Sequence, residues 1–296
     1  MKKNDKRKFY PVSLIVSFIL AVLITIGGYL VGADLGIFNS EIFFDSMEQS
    51  NYYENVYKSI KKDSIALGKP MMLTEDVFDD VFDVKEVKSD IQQYFRAQLN
   101  GTTYQVDTAG INNRLNSNIE QFAIKENIEI GEQQKSAIAG FVSQIENKYK
   151  SSINISYINY YTSLRSMYFK WFLKIVAVIA ILVIIAVFII IKDHKYVHRG
   201  IRYITYSTLS AAIMTGVVPL YLYVKGSYRR LGIKPVYYYN MLVRVVDKSI
   251  LTFVYIAGVY LLISAGLIIL TVILKKKLKE KNSKHRHTHH HTHYEE

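Results

Sequence analysis

The sequence predicts an all-α membrane protein with four transmembrane helices and a mostly helical extracytoplasmic domain between the first and second helices. Four apolar runs reach the length of about 20 residues that a helix needs to cross the hydrocarbon core of a bilayer. The cations of the chain gather at the ends of these runs, and the long polar stretch after the first run has apolar residues at helical spacing.

The distribution of cations sets the predicted orientation. Residues 1–8 contain five Lys/Arg and residues 275–286 contain seven, and such an excess marks the cytoplasmic side. The chain is therefore predicted to cross the plasma membrane with both termini in the cytoplasm. The predicted segments are a basic N-terminus (1–8), TM1 (9–31), the extracytoplasmic domain (32–168), TM2 (169–191), a cytoplasmic loop (192–202), TM3 (203–224), a basic extracytoplasmic loop (225–248), TM4 (249–274) and a basic, His-rich cytoplasmic tail (275–296).

The first run has two interpretations. Its apolar stretch is longer than the roughly 7–15 residues at the centre of a cleaved signal peptide, so we expect an uncleaved signal anchor. Cleavage before Asp34 is the alternative. TM3 differs from the other runs because Ser, Ala, Thr and Gly recur every fourth residue along it. Small residues at this spacing permit close helix packing, which is typical of a central helix of a bundle or of a pore-lining helix.

Charge and composition exclude several classes of function. The chain carries a net charge of +12, but residues 34–168 hold 19 acidic and 13 basic side chains, so the polar domain is acidic and nucleic acid is not an expected partner. The chain contains no cysteine, which excludes disulfides, thiolate catalysis and cysteine-bound metals.

Helix-start and helix-stop signals divide the domain into predicted helices. These are a helix over 46–67 that stops at Gly68, one capped by Thr74, one with a capping box at Ser89 and Gln92, one capped by Thr108, one that follows Gly131, and a long one over 156–191 that continues into TM2. Residues 102–106 could be extended, but nothing predicts a sheet.

An acidic segment, TEDVFDDVFDVKEVKSD, is the most distinctive polar feature of the domain. Calcium loops need alternating ligands and a glycine at the sixth position, and this segment lacks that pattern. We interpret it as an amphipathic helix whose acidic face could bind a partner. The candidate partner surface consists of Asp76, Asp79, Asp80 and Asp83 together with Arg229 and Arg230 of the basic loop, which could instead bind lipid headgroups.

No catalytic residue is predicted, and we expect the protein not to be an enzyme. The domain contains neither His nor Cys, the commonest general base and the usual zinc ligands. The central parts of the four runs contain no charged residue, which argues against an ion-coupled transporter.

Histidines form a separate cluster on the predicted cytoplasmic side. The candidate metal ligands are His194, His198, His285, His287, His289, His290, His291 and His293. Imidazole suits zinc, copper and nickel, so the loop and the tail could share one transition-metal site. Incidental metal binding by a flexible tail is the simpler interpretation, and a purification tag is a third; no resident cofactor is predicted.

Three stretches, SMEQSNYYENVY, LNGTTYQVDT and HRGIRYITYSTL, resemble stretches in uncharacterised four-span membrane proteins of Firmicutes. The span order is also similar to that of permease subunits of the cell-division and macrolide-exporter type of ABC systems, a likeness of topology alone. The second resemblance implies a membrane subunit of an export complex.

The function that we expect is a non-catalytic membrane protein whose extracytoplasmic domain binds or senses a ligand or partner, as a scaffold or regulator. The alternatives are a subunit of an ABC-type or export complex and a metal-handling protein that uses the cytoplasmic histidines. Besides the lipid bilayer, the expected partner is another protein or a second copy of the chain.

Overall fold

A computed structural model describes residues 10–155 and 157–291, with side chains described between residues 12 and 279. Within these ranges the chain is helical and has no strand. The α-helices are α1 (Tyr10–Gly32), α2 (Ser40–Gln49), α3 (Tyr52–Gly68), α4 (Val84–Leu99), α5 (Ala109–Lys125), α6 (Glu132–Ile153), α7 (Ile158–Lys192), α8 (Val197–Lys225) and α9 (Val236–His291). A π-helical turn (Ala33–Ile37) follows α1, and short 3₁₀ turns occur at Lys69–Met71, Glu75–Phe78 and Ser227–Arg230.

The chain divides into two compact units. The bundle comprises the described parts of residues 1–39, 169–230 and 245–296, and the helical domain comprises residues 40–168 and 231–244. Four helices are long and apolar enough to cross a membrane, as the sequence predicts. The segment 231–244, predicted to be part of a loop, belongs to the same unit as 40–168, and α9 begins within it.

Helix α1 contacts the other three helices of the bundle. Leu20 packs against Ala186 and Ile190 of α7. The hydroxyl groups of Ser17 and Ser207 are 2.8 Å apart and join α1 to α8. On a third side, the Tyr260 hydroxyl of α9 donates to a carbonyl oxygen of α1, at Ile24.

A series of three glycines forms the contact of α1 with α9. A Cβ atom added to Gly28 would lie 2.8 Å from the Tyr260 hydroxyl oxygen, and one added to Gly32 would overlap the Phe253 ring. At Gly36 the nearest neighbour is backbone, because the added Cβ would lie 3.2 Å from the carbonyl oxygen of Ser249. Small residues every fourth position let helix backbones approach closely in this way.

The small residues of TM3 lie at helix contacts, as their spacing predicts. Ser207 donates to the Ser17 carbonyl oxygen of α1 at 2.7 Å, and Ser264 of α9 donates to the Thr208 hydroxyl at 2.8 Å. A Cβ added to Gly216 would lie 2.8 Å from the Ala257 side chain. Hydroxyl groups and small side chains thus replace bulky apolar residues between α8 and its neighbours.

Aromatic rings pack together in one part of the core of the helical domain. The Phe95 ring on α4 is fully buried, and its centroid lies 5.3 Å from that of Phe43, 5.2 Å from that of Phe44 and 6.4 Å from that of Tyr161. These contacts join α2, α4 and the first turns of α7.

Segment 231–244 contributes to the same unit. Its Met241 is buried, and Tyr237 makes an edge contact with Tyr52, their ring centroids lying 5.6 Å apart. Burial, reinforced by the neighbouring tyrosines, raises the pKa of Tyr52 above its ordinary value. The segment therefore stabilises the domain by burying its own apolar side chains.

One carboxylate joins three parts of the domain. Asp90 on α4 accepts a hydrogen bond of 2.8 Å from Tyr104 and one of 2.7 Å from Tyr149 on α6. Burial and the bond to Asp90 raise the pKa of Tyr104 to about 12. The segment between α4 and α5 is thereby fixed against the helices, although none of it forms a strand.

Three predicted helix boundaries are confirmed. Helix α3 ends at Gly68, where an added Cβ would lie 2.7 Å from the Phe78 ring. Thr108 precedes α5, and Gly131 precedes α6. The predicted long helix is also confirmed, since α7 runs without a break from Ile158 to Lys192.

The predicted helices over 46–67 and after Thr74 are wrong in part. Asn51 adopts φ 52°, which separates α2 from α3. After Thr74 the chain makes only a 3₁₀ turn, and α4 begins at Val84. The capping box at Ser89 is wrong because Asp83 caps this helix, its carboxylate accepting the backbone N–H of Lys85 at 2.8 Å; Ser89 lies inside α4.

Candidate functional site

The acidic segment does not form one continuous helical face. Asp79 pairs with Lys61 at 2.8 Å, and Asp83 is the cap of α4. A hydrogen bond from the Thr74 side chain lowers the pKa of Asp76. Asp76 and Asp80 are exposed at the domain surface. Two of the four predicted partner-surface carboxylates therefore have structural roles, and Asp76 and Asp80 present charge to solvent.

A different feature of the domain has the shape of a binding site. An apolar groove of about 510 Å³ lies between α5 and α6. Its apolar lining residues are Ile119, Ala123, Ile124, Ile128, Ile130, Ile138 and Ala139. Ile124 is 77% exposed and Ile128 is 51% exposed. Large aliphatic side chains with this exposure, gathered at one place, are typical of an interaction surface.

The turn between α5 and α6 holds these isoleucines open to solvent. Helix α5 ends at Lys125, and Asn127 adopts φ 54°, which reverses the chain. The backbone N–H of Ile128 then donates to the carbonyl oxygen of Ala123 at 2.8 Å. Gly140 on α6 leaves further open space, because a Cβ added there would meet no atom within 4 Å.

The rim of the groove is mainly acidic. Glu120 and Lys135 lie in its wall, and Lys135 forms an ion pair with Glu132 at 2.9 Å. Glu126 and Glu129 are exposed in the adjoining turn. The groove therefore suits a partner that is apolar on one side and carries cations beside it.

The groove and the acidic segment lie on opposite sides of α5. Asn118 donates to the carbonyl oxygen of Val77 at 2.9 Å, which fixes the acidic segment against that side of the helix. Because successive helical residues are about 100° apart, Asn118 lies far around the helix from Asn116 and Glu120, which line the groove. The two surfaces are therefore separate.

A second cavity of the domain is polar and has a volume of about 600 Å³. Several of its polar groups already have hydrogen-bond partners. Asn112 donates to Glu146 at 3.0 Å, and the Asp107 carboxylate accepts the backbone N–H of Ala109 at 2.9 Å. It is a weaker candidate than the groove.

Only His194 and His198 of the predicted metal ligands have described side chains. His194 lies in the turn between α7 and α8, with Nδ1 2.9 Å from the Ile190 carbonyl oxygen and its ring centroid 5.0 Å from that of Tyr203. His198 belongs to α8. The side chains of His285, His287, His289, His290 and His291, and the whole of His293, lie outside the described part of the structure. Among the described residues no three His, Cys, Asp or Glu form a metal-binding group.

Arg229 is engaged within the bundle. Its Nη2 lies 2.7 Å from the Asp247 carboxylate on α9, and Tyr228 donates to the same carboxylate. The guanidinium also lies over the Tyr223 ring, 5.2 Å from its centroid. Arg229 therefore joins the end of α8 to α9, whereas Arg230 is exposed.

Sequence reasoning missed the groove, although a local signal was present. In the run IKENIEIGEQ, isoleucines stand among acidic residues at a chain reversal. An exposed turn with no binding role would need only polar or charged side chains. In comparisons with protein-family models, curated proteins and solved structures, nothing matches the chain. The chemistry of the groove is therefore the basis for a functional interpretation.

Proposed function

We propose that the protein is a non-catalytic membrane protein whose helical domain lies outside the cytoplasm and binds an amphipathic helix of a partner protein in the α5/α6 groove. The observation that supports this function is the exposed apolar lining of the groove beside an acidic rim. An amphipathic helix that places its apolar face in a groove is a recurring mode of recognition. The partner helix would carry Lys or Arg beside its apolar face.

Burial of the exposed isoleucines supplies the favourable free energy of binding. Full burial of one such side chain contributes about 1.5–3 kcal/mol, and Ile124 and Ile128 are both more than half exposed. Ala139 and Gly140 lack bulky side chains, so a partner helix can approach α6 closely. Cations of the partner would then lie near Glu120 and Glu129.

The proposed orientation is supported by charge. The basic segments 1–8 and 275–286 fall at the two ends of the chain, and an even number of spans puts both ends on the same side. Because cation-rich segments stay in the cytoplasm, the helical domain then lies on the other side.

Cysteine labelling tests this orientation, since the parent chain has no cysteine of its own. We expect a membrane-impermeant maleimide to label Ser117→Cys on α5 in intact cells. Lys195→Cys, in the turn before α8, should be labelled only after the membrane is permeabilised. Both positions are exposed. The cysteine-free parent is the control, and the reverse labelling pattern would contradict the orientation.

Site-specific crosslinking tests the groove. With p-benzoylphenylalanine at Ile124 of the full chain in its native membrane, we expect a discrete protein adduct. The same crosslinker at Met72, which is 85% exposed but lies outside the groove, should give none. Ala139→Trp should abolish the Ile124 adduct by filling the groove, whereas Ser151→Trp, about three turns further along α6, should leave it unchanged.

The acidic rim gives a second measurement in the same experiment. Replacing Glu120 and Glu129 together by lysine should reduce the yield of the Ile124 adduct, because the partner's cations would then meet like charge. A yield that both Ala139→Trp and the charge reversal leave unchanged would show that the groove is not the binding site. Mass spectrometry of the adduct would identify the partner segment and its charge.

A further inference from the structure

A second groove lies in the bundle, on the outer side of the contact between α1 and α8. Its volume is about 660 Å³. The lining residues that carry the argument are Leu14 and Phe18 on α1 and Tyr203, Tyr206, Ser210 and Ile213 on α8. Phe18 is 66% exposed and Ile213 is 55% exposed, so the groove opens on the surface that faces lipid when the bundle crosses a membrane.

We propose that this groove binds one acyl chain of an anionic phospholipid, whose headgroup is held by Arg199 and Arg202 at the end of the groove. This site is independent of the α5/α6 groove and of the function proposed for it.

The walls and floor of the groove suit an acyl chain. The floor hydroxyls, Ser17 and Ser207, bond to each other and to the Tyr203 and Ser17 carbonyl oxygens. They therefore need no polar ligand. The remaining lining is mostly aliphatic and aromatic.

The length of the groove matches one leaflet. Its α8 side runs from Tyr203 to Met214, which at 1.5 Å per residue is about 16 Å. The hydrocarbon core of a bilayer is about 30 Å thick, so the groove covers about half of it. An acyl chain reaches across the same half, whereas a transmembrane helix needs a contact surface along the whole thickness.

Two arginines lie at one end of the side of α8 that lines the groove. Arg199 is one turn before Tyr203, and Arg202 is one turn before Tyr206, so each shares a helix side with a lining residue. Both arginines are exposed. Lys192 and Lys195 precede α8 and do not belong to this side of the helix.

The local acid does not cancel this charge. Asp193 is the one acidic residue between positions 192 and 202, and it accepts a hydrogen bond from Ser13 of α1. The end of the groove therefore favours an anionic headgroup over a zwitterionic one. Guanidinium groups bind phosphate oxygens through charged hydrogen bonds, and basic sites of this kind recognise anionic lipids.

The direction of α1 agrees with this placement. Ser17 contacts Ser207, and further along both helices Thr25 contacts Met214. The two helices therefore run parallel and begin on the same side. The five Lys/Arg of residues 1–8 precede α1 in sequence on that side, which adds to the preference for anionic lipid.

Native mass spectrometry of the full chain tests the proposal. The chain would be reconstituted in nanodiscs that contain equal amounts of phosphatidylglycerol and phosphatidylcholine, and the lipids retained after release would be counted. We expect one phosphatidylglycerol per chain to resist removal. Arg199→Gln should lower the preference for phosphatidylglycerol about tenfold, because a charged hydrogen bond to phosphate is lost. Lys195→Gln removes a cation from the turn before α8 and not from the side of α8 that lines the groove, so it should preserve the preference.

Filling the groove tests the acyl-chain half of the proposal. Ser210→Phe should abolish retention of the lipid, and Ser210→Ala, which keeps the groove open, should not. Residue 210 is exposed, so neither change disturbs the packed interior, and an unchanged melting temperature would confirm that the variants fold. Equal retention of the two lipids would overturn the proposal, as would retention that Ser210→Phe leaves unchanged. Recovery of a dimer that Ser210→Phe dissociates would overturn it too, because the groove would then be an interface between two copies.

Discussion

Replacement of Phe95 by alanine should lower the free energy of unfolding of the helical domain by about 3–5 kcal/mol, the usual cost of removing a buried phenylalanine ring. The ring is fully buried and contacts aromatic residues of α2 and α7, so its loss leaves a cavity that three helices border. Hydrogen exchange of the amides of α4 in detergent-solubilised full-length protein would measure the change.

Met72→Ala is the matched control for this experiment. Met72 is 85% exposed, and its φ of 59° costs about the same with either side chain, so the change should stay within about 0.5 kcal/mol, as surface substitutions usually do. Equal effects of Phe95→Ala and Met72→Ala would contradict the aromatic core described above.

Replacement of Gly36 by valine should separate α1 from α9 and destabilise the bundle by about 1–3 kcal/mol or more, as overpacking of a close contact does. The added Cβ would lie 3.2 Å from the Ser249 carbonyl oxygen and 3.3 Å from the Ser249 Cα. Backbone atoms cannot move aside as a flexible side chain can. The melting temperature of the purified chain in detergent measures the effect.

Gly258→Val on α9 provides the comparison, since a Cβ at Gly258 would meet no atom within 4 Å. Both substitutions place the same β-branched side chain in a glycine position of the bundle. A melting temperature lowered equally by the two would show that the cost comes from helix propensity, and not from the α1/α9 contact.

The features that the sequence predicts correctly are those with local causes. Four apolar runs imply helices long enough to cross a membrane, and Thr108 and Gly131 directly precede helices, although the Thr108 side chain makes no capping hydrogen bond. The cap at Asp83 shows that capping signals that lie close together in sequence can compete. Thr74, Asp83 and Ser89 are all acceptable caps by composition. The burial of Val77, Phe78, Val81 and Phe82, through contacts that are distant in sequence, occupies the chain before Asp83, and α4 begins at Val84.

Features that depend on distant contacts could not be predicted. Segment 231–244 is predicted as part of a basic loop, yet Tyr237 and Met241 pack in the helical domain. The glycines of α1 are spaced like the small residues of TM3, but their partner on α9 cannot be read from spacing alone. The groove lies between α5 and α6. Helical periodicity shows which residues are apolar, but it does not show which of them stay exposed. The acidic segment and the histidines were singled out by charge and composition, neither of which specifies a neighbour.

The central place of α1 has a consequence for biosynthesis. Helix α1 leaves the ribosome before its partner α9, and the bonded residues Ile24 and Tyr260 are 236 positions apart in sequence. The glycine surface of α1 must therefore stay without this neighbour until α9 has been translated. Long-range contacts of this kind delay folding, so a chain truncated before α9 should be recognised by quality-control proteases, because the glycine surface of α1 then lacks its neighbour.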